Sequence, residues 1–168
     1  MVRALREAAQ SQLDDLVAEV AEYERLRDGQ LTAITAESIA DLAPDSGLAP
    51  AAGTMARYRL MEWLNFITSE LHKSFSPLFN PAMPEEGKAV YRARLADRFK
   101  WVDGQLAGKN YLMGQDFSVA DAYLFVVAGW GKHVGVDISG LANLGAFMAR
   151  VGARPAVQEA LKAEGLLK

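Results

Sequence analysis

An all-α fold is the class this sequence predicts, on three observations. Apolar residues recur at three- and four-residue steps through most of the chain, which is the period of one helical face. No segment alternates apolar and polar residues with the β-branched richness of strands. The third is the stretch from Ser118 to Val134, SVADAYLFVVAGWGKHV, where Asp121 is the only charge between Val119 and Ala128. A helix that is apolar on every face is buried on every face. Gly129 and Gly131 break this one well short of membrane-spanning length. It is therefore expected to be the central helix of a helical bundle.

Met1 to Arg27, the first element, contains no Gly or Pro and is rich in Ala, Leu, Glu and Arg, which are strong helix formers. Leu5, Leu13, Leu16, Val17 and Val20 form one stripe, extended by Tyr23 and Leu26, so an amphipathic helix is predicted. Asp28-Gly29 ends it, Gly being suited to a left-handed stop. A shorter helix is expected from about Thr35 to Leu42. Pro44 and Pro50 then bracket a turn around Asp45-Ser46-Gly47. A long helix opens after Gly53-Thr54, with Tyr58, Met61, Leu64, Ile67, Leu71, Phe75 and Leu78 on one face. Ser76-Pro77 should bend or end it.

Pro84 and the acidic pair Glu85-Glu86 suit the start of the next helix. Val90, Arg94, Leu95, Arg98, Phe99, Val102 and Leu106 carry that helix towards Gly108. Tyr111 to Gly114 connects it to Ser118. Ser118 and Asp121 lie three apart, the spacing of a capping box, in which each side chain satisfies the other's backbone N–H. A lone carboxylate in an apolar run also suggests catalysis, but a cap is the commoner use of this position, and the structural role is preferred here. Helices through Leu141–Val151 and Pro155–Glu164 close the chain, the last stopped by Gly165.

Composition narrows the function. The 168 residues are 51% hydrophobic and 23% charged, as in a globular domain with a sizeable core. No transmembrane run and no secretory signal is present, and a cytoplasmic protein is expected. With no cysteine, there is no disulfide, thiolate metal site or Cys nucleophile. The two histidines, His72 and His133, lie far apart, so no metal site and no metal cofactor is expected. Residues 1–45 carry 4 basic and 10 acidic side chains, net −6, and the remainder 14 and 11, net +3. That balance supplies no basic face for nucleic acid; it suits an acidic N-terminal segment lying on a mildly basic body.

Three stretches carry a family resemblance: Glu62 to Phe79 (EWLNFITSELHKSFSPLF), Tyr111 to Phe125 (YLMGQDFSVADAYLF) and Arg154 to Leu166 (RPAVQEALKAEGL). Together they resemble the C-terminal helical domain of bacterial glutathione transferases, most of all the beta class. Ile39 to Pro50 resembles the link into that domain, so the likeness covers Ile39 to Lys168. The resemblance implies that His72 and Lys73 lie near a glutathione site, and that Trp130 lines the pocket for the hydrophobic second substrate. Read from the residues alone, His72 and Lys73 are an ordinary polar helix edge and Trp130 is core, and this plainer reading is preferred. Tyr23, Tyr58, Tyr91, Tyr111 and Tyr123 could each donate a hydroxyl, and nothing in the sequence places one of them beside a substrate.

The first 38 residues depart from the family. Its glutathione site sits mainly in an N-terminal thioredoxin-like domain, with strands, a cis-proline loop and a Cys, Ser or Tyr that stabilises the thiolate. No proline precedes Pro44, and the region before Ile39 lacks a strand pattern. Only Ala4–Ala8 and Asp28–Thr32 faintly echo that half. The expectation is a two-part chain: residues 1–38 as a helical replacement cover, and 39–168 as a glutathione transferase C-terminal-like bundle. Such a chain reads as an engineered scaffold without transferase chemistry. The alternative is a transferase-like enzyme or hydrophobic-ligand binder with residual activity. The scaffold reading expects no cofactor, no catalytic residue, no tight glutathione binding and no membrane partner. A monomer is favoured, with a homodimer through the long helix as the other possibility.

Overall fold

One helical rod of 25 residues organises the molecule in the computed structural model, which describes residues 34–167. It comprises α2 (Met55–Phe66), a π-helical turn (Ile67–His72) and α3 (Lys73–Phe79). Thr54 caps it through an Oγ1 that accepts from the Arg57 amide at 3.2 Å. The apolar stripe places Leu60, Leu64, Ile67, Leu71, Phe75 and Leu78 in the core. Tyr58 and Met61, expected on that face, are 55% and 44% exposed. Leu60 takes the core position at the turn that they share. Nothing in the sequence predicts the widened turn, in which the Lys73 amide donates to the Thr68 carbonyl, five residues back. Pro77 lies one turn further on inside α3, and the rod ends at Asn80.

Residues 34–42 form a preceding helix, α1, which meets the predicted position. The amphipathic helix expected over Met1–Arg27 lies outside the described residues. After Pro84 the chain forms α4 (Glu85–Gln105), which packs against the rod and buries Leu95, Phe99 and Val102. Val90, predicted on this face, is 67% exposed.

The central stretch is α5 (Val119–Gly129) followed by the short α6 (Gly131–Val134). Gly131 is required at this bend: a Cβ there would sit 2.9 Å from the Val136 carbonyl oxygen. The expectation of burial on all faces needs correction. Ala122 and Val126, one turn apart, are exposed, Val126 by 52%. The other faces of α5 pack on α2, the π turn and α7 (Ala142–Gly152). Helix α8 (Pro155–Ala163) lies against α7 and buries no residue fully.

Long-range hydrogen bonds, none of them a sequence motif, help to hold this arrangement. The Val119 amide donates to the Leu48 carbonyl at 3.0 Å, tying the Pro44–Pro50 turn to the start of α5. Asp103, near the end of α4, accepts from the Leu144 amide at 2.8 Å and from Asn143 Nδ2 at 3.2 Å. It thereby caps α7, which has no side-chain cap of its own, and places a negative charge at the positive helix end. Among the described residues no strand occurs and no helix is long and apolar enough to cross a membrane.

Candidate functional site

The π turn delivers His72 to α5. Its Nδ1 lies 2.7 Å from the Tyr123 hydroxyl, and Thr68, four residues earlier on the same turn, brings Oγ1 to 3.5 Å of that hydroxyl. Thr68 and Tyr123 are buried and His72 is half-buried. An additional residue in the turn rotates α3 relative to α2, so side chains on both sides of the turn can face one neighbour.

Trp130, between α5 and α6, closes the other side of the imidazole. Its ring meets His72 edge-on at 4.8 Å between centroids. Phe75 and Phe79 meet the same indole edge-on at 5.6 and 6.0 Å. Edge-to-face pairs of this kind are favoured by ring quadrupoles and hold their members in fixed orientations. The outcome is an aromatic wall with Phe79 53% exposed at its margin and one imidazole set into it. Of the three residues that the resemblance singles out, the structure brings His72 and Trp130 together. Lys73 is exposed at the start of α3. The sequence marks Tyr123 only as one of five possible hydroxyl donors; its 51-residue separation from His72 leaves no local signal.

Ser118 and Asp121 form the capping box at the start of α5. The Ser118 amide and hydroxyl both donate to Asp121 Oδ2 at 2.8 Å. The Leu112 amide donates to Oδ1, also at 2.8 Å, which anchors the Tyr111–Gly114 loop as well. Burial pushes the Asp121 carboxyl above its ordinary value, against the opposing pull of its Leu112 and Ser118 donors. These three donors belong to the cap and to the loop before it, which is the geometry of a structural carboxylate.

A separate open groove of about 380 Å³ runs between α2 and α4, floored by Trp63, Phe66 and Trp101 and rimmed by Arg59 and Lys109. Phe66 and Trp101 approach to 4.6 Å between centroids. Among the described residues no group of three or more His, Asp or Glu side chains converges as metal ligands would.

Comparison with known proteins matches residues 66–155 to the family described as glutathione S-transferase, C-terminal domain. A glutathione S-transferase of Escherichia coli O157:H7, GstA, is 45% identical over 128 residues, covering 76% of this chain and 64% of that protein. A glutathione S-transferase of Xanthomonas campestris pv. campestris is 39% identical over 135 residues, covering 76% of this chain and 66% of that protein. The chain thus spans just under two-thirds of the length of these relatives. Among solved structures, the ternary complex of BphK, a bacterial glutathione transferase, is 54% identical with a TM-score of 0.75, over 77% of this chain and 64% of that one. The beta-class enzyme of Sphingomonas chungbukensis is 46% identical with a TM-score of 0.77, over 80% and 67%. The family match over residues 66–155 and the identity to these relatives agree, and the chain belongs to the glutathione S-transferase C-terminal domain family.

Proposed function

We propose that this chain is a stably folded helical domain of glutathione transferase type, which presents the wall for an apolar second substrate but does not itself conjugate glutathione. The convergence of His72, Tyr123 and Trp130 from two separate parts of the fold carries this reading. Such a wall suits an aromatic electrophile: Phe79 and Trp130 offer partly exposed ring surface, the buried Phe75 backs them, and the half-buried His72 imidazole lies beside them. Conjugation needs more. The glutathione thiol ionises near neutral pH only beside a positioned donor or positive dipole. The family resemblance places that donor in an N-terminal half that residues 1–38 do not resemble, and the sequence contains no cysteine to serve as one.

Calorimetric titration with glutathione and a conjugation assay with 1-chloro-2,4-dinitrobenzene test this directly. The expected result is no saturable glutathione binding and no rate above the uncatalysed reaction. Saturable binding, with turnover abolished by His72→Ala, would replace this reading with that of a working transferase.

In the same reading residues 1–38 serve as a cover for apolar surface and the chain has an engineered origin. The stripe of Leu5, Leu13, Leu16, Val17 and Val20 supports this, as does the net −6 of residues 1–45 against +3 for the rest. A chain beginning at Gly29 is expected to bind a hydrophobic dye, self-associate on gel filtration and melt earlier. If it stays monomeric, dye-silent and equally stable, residues 1–28 are not a cover.

A further inference from the structure

We propose that the helix predicted over Met1–Arg27 docks in the groove between α2 and α4, with Leu13, Leu16, Val17 and Val20 seated on Trp63, Phe66 and Trp101. The inference rests on the reading of residues 1–38 as a cover, and it names the surface that is covered.

The three rings form one cluster. Trp63 meets Trp101 at 5.6 Å and Phe66 at 5.9 Å between centroids, and Phe66 meets Trp101 at 4.6 Å. Trp63 and Phe66 rest against the core and are half-buried, while Trp101 is 45% exposed. Exposed Met55 and Tyr58 extend the apolar surface along α2 towards its start. Apolar surface of this extent with a charged rim marks the seat of another element. An open trough between two helices takes a third helix by its apolar face.

Such a helix presents anchors at i, i+3, i+4 and i+7. Leu13, Leu16, Val17 and Val20 have that spacing. Charge fits as well. Residues 13–24 carry five acidic side chains and no basic one. Arg59 and Lys109 stand on the rim against Glu62 alone, which Arg59 holds at 2.7 Å. Arg94 and Arg98 continue the Trp101 side of α4 and share Glu70, while Asp97 and Lys100 offset each other.

Reach favours this groove over the wall at Phe79. Glu37 and Asp41 of α1 are bonded to Arg57, so the chain enters the described domain at the start of α2. Trp63 lies six residues beyond Arg57, about 9 Å along the helix axis. Phe79 lies 22 residues beyond it, about 33 Å along the rod. Residues 28–33 span about 20 Å when fully extended.

The protein has no cysteine, so a pair introduced into the full chain supplies its only thiols. Val17→Cys is combined with Gln105→Cys, on the groove, or with Val126→Cys, on the exposed side of α5, and each variant is treated with a short bismaleimide. A tethered but undocked segment meets both positions at similar effective concentration. The groove pair is expected to cross-link within one chain faster by about tenfold or more, the factor that burial of one Leu or Val supplies. Trp101→Asp in the groove pair should abolish the preference, and Lys109→Glu should reduce it. Equal rates at both positions, faster linking to residue 126, or a cross-linked dimer on the gel would each overturn the proposal, the dimer by making a second copy the occupant. So would a preference that survives Trp101→Asp; the comparison of the two pairs stands without that variant. A chain beginning at Gly29 that melts early, beside equal cross-linking rates, keeps the cover reading and rejects the groove. Unchanged melting beside a groove preference does the reverse.

Discussion

Asp121→Ala is expected to lower the stability of the domain by about 2–4 kcal/mol, well beyond an average surface substitution. The carboxylate accepts from three donors, the Leu112 amide, the Ser118 amide and the Ser118 hydroxyl, each at 2.8 Å. Asp121 itself is fully buried, so alanine leaves those donors without a partner and with poor access to water. Loss of a cap alone costs about 0.5–2 kcal/mol. The bond to Leu112 adds to it, because the connection from α4 then loses its anchor. One effect acts the other way. Burial raises the Asp121 carboxyl above its ordinary 3.8, so its ionised form is disfavoured by folding and part of the loss is offset near neutral pH. Protonation of Asp121 therefore stabilises the folded wild type as pH falls through that raised value. Thermal melts of both proteins should show a gap that is present at pH 7 and wider in mild acid. A midpoint within a degree of wild type at both pH values would remove Asp121 from the structural account.

Arg57→Ala is expected to cost about 2–4 kcal/mol and to release α1 from the body of the domain. Arg57 lies on the core face of α2 at 5% exposure. Its fork grips both oxygens of Asp41, at 2.8 and 2.6 Å, while Nε reaches Glu37 at 2.6 Å and Nη1 the Pro50 carbonyl at 2.9 Å. Removing one partner of a buried pair costs about 3–5 kcal/mol. The figure here is lower because Asp41 is half exposed and can return to water. Arg57→Lys should recover little, since a lysine ammonium cannot make the two-pronged contact. Hydrogen exchange should localise the effect, with amides in 34–42 losing protection before those of α4 and α5. Equal protection in both proteins would show that α1 is held by other contacts. Acid provides an independent check. The Arg57 guanidinium holds the Asp41 carboxyl below its ordinary value, so its contribution is complete above 3.8 and is lost as pH falls through the lowered folded value. Wild type and Asp41→Asn should therefore converge in stability in strong acid and diverge towards pH 5.

What the sequence could convey about this protein was set by the reach of local interactions. Helix positions were legible because an apolar side chain every three or four residues needs a face to bury, whatever it packs against. Ser118 and Asp121 were legible because a capping box closes within one turn. The exposed Tyr58, Met61, Val90 and Val126 mark the limit of the same reasoning. Periodicity shows that a stripe exists, but the neighbouring helix decides which edge of the stripe it covers. His72 and Trp130 were singled out by resemblance, since nothing local distinguishes them from a polar edge and a core tryptophan.

The tertiary structure alone decided the rest, because each remaining feature joins parts of the chain that the sequence keeps apart. Arg57 drew no notice in the sequence and is the buried anchor of α1, 16 and 20 residues away. Asp103 drew no notice in the sequence and caps α7, 41 residues on. Tyr123 was one of five possible hydroxyl donors and is bonded to His72 across 51 residues. That last bond depends on the π turn, whose extra residue leaves no compositional trace. A polar group that leaves water must find its partner in three dimensions, and that partner is fixed only when the helices have packed.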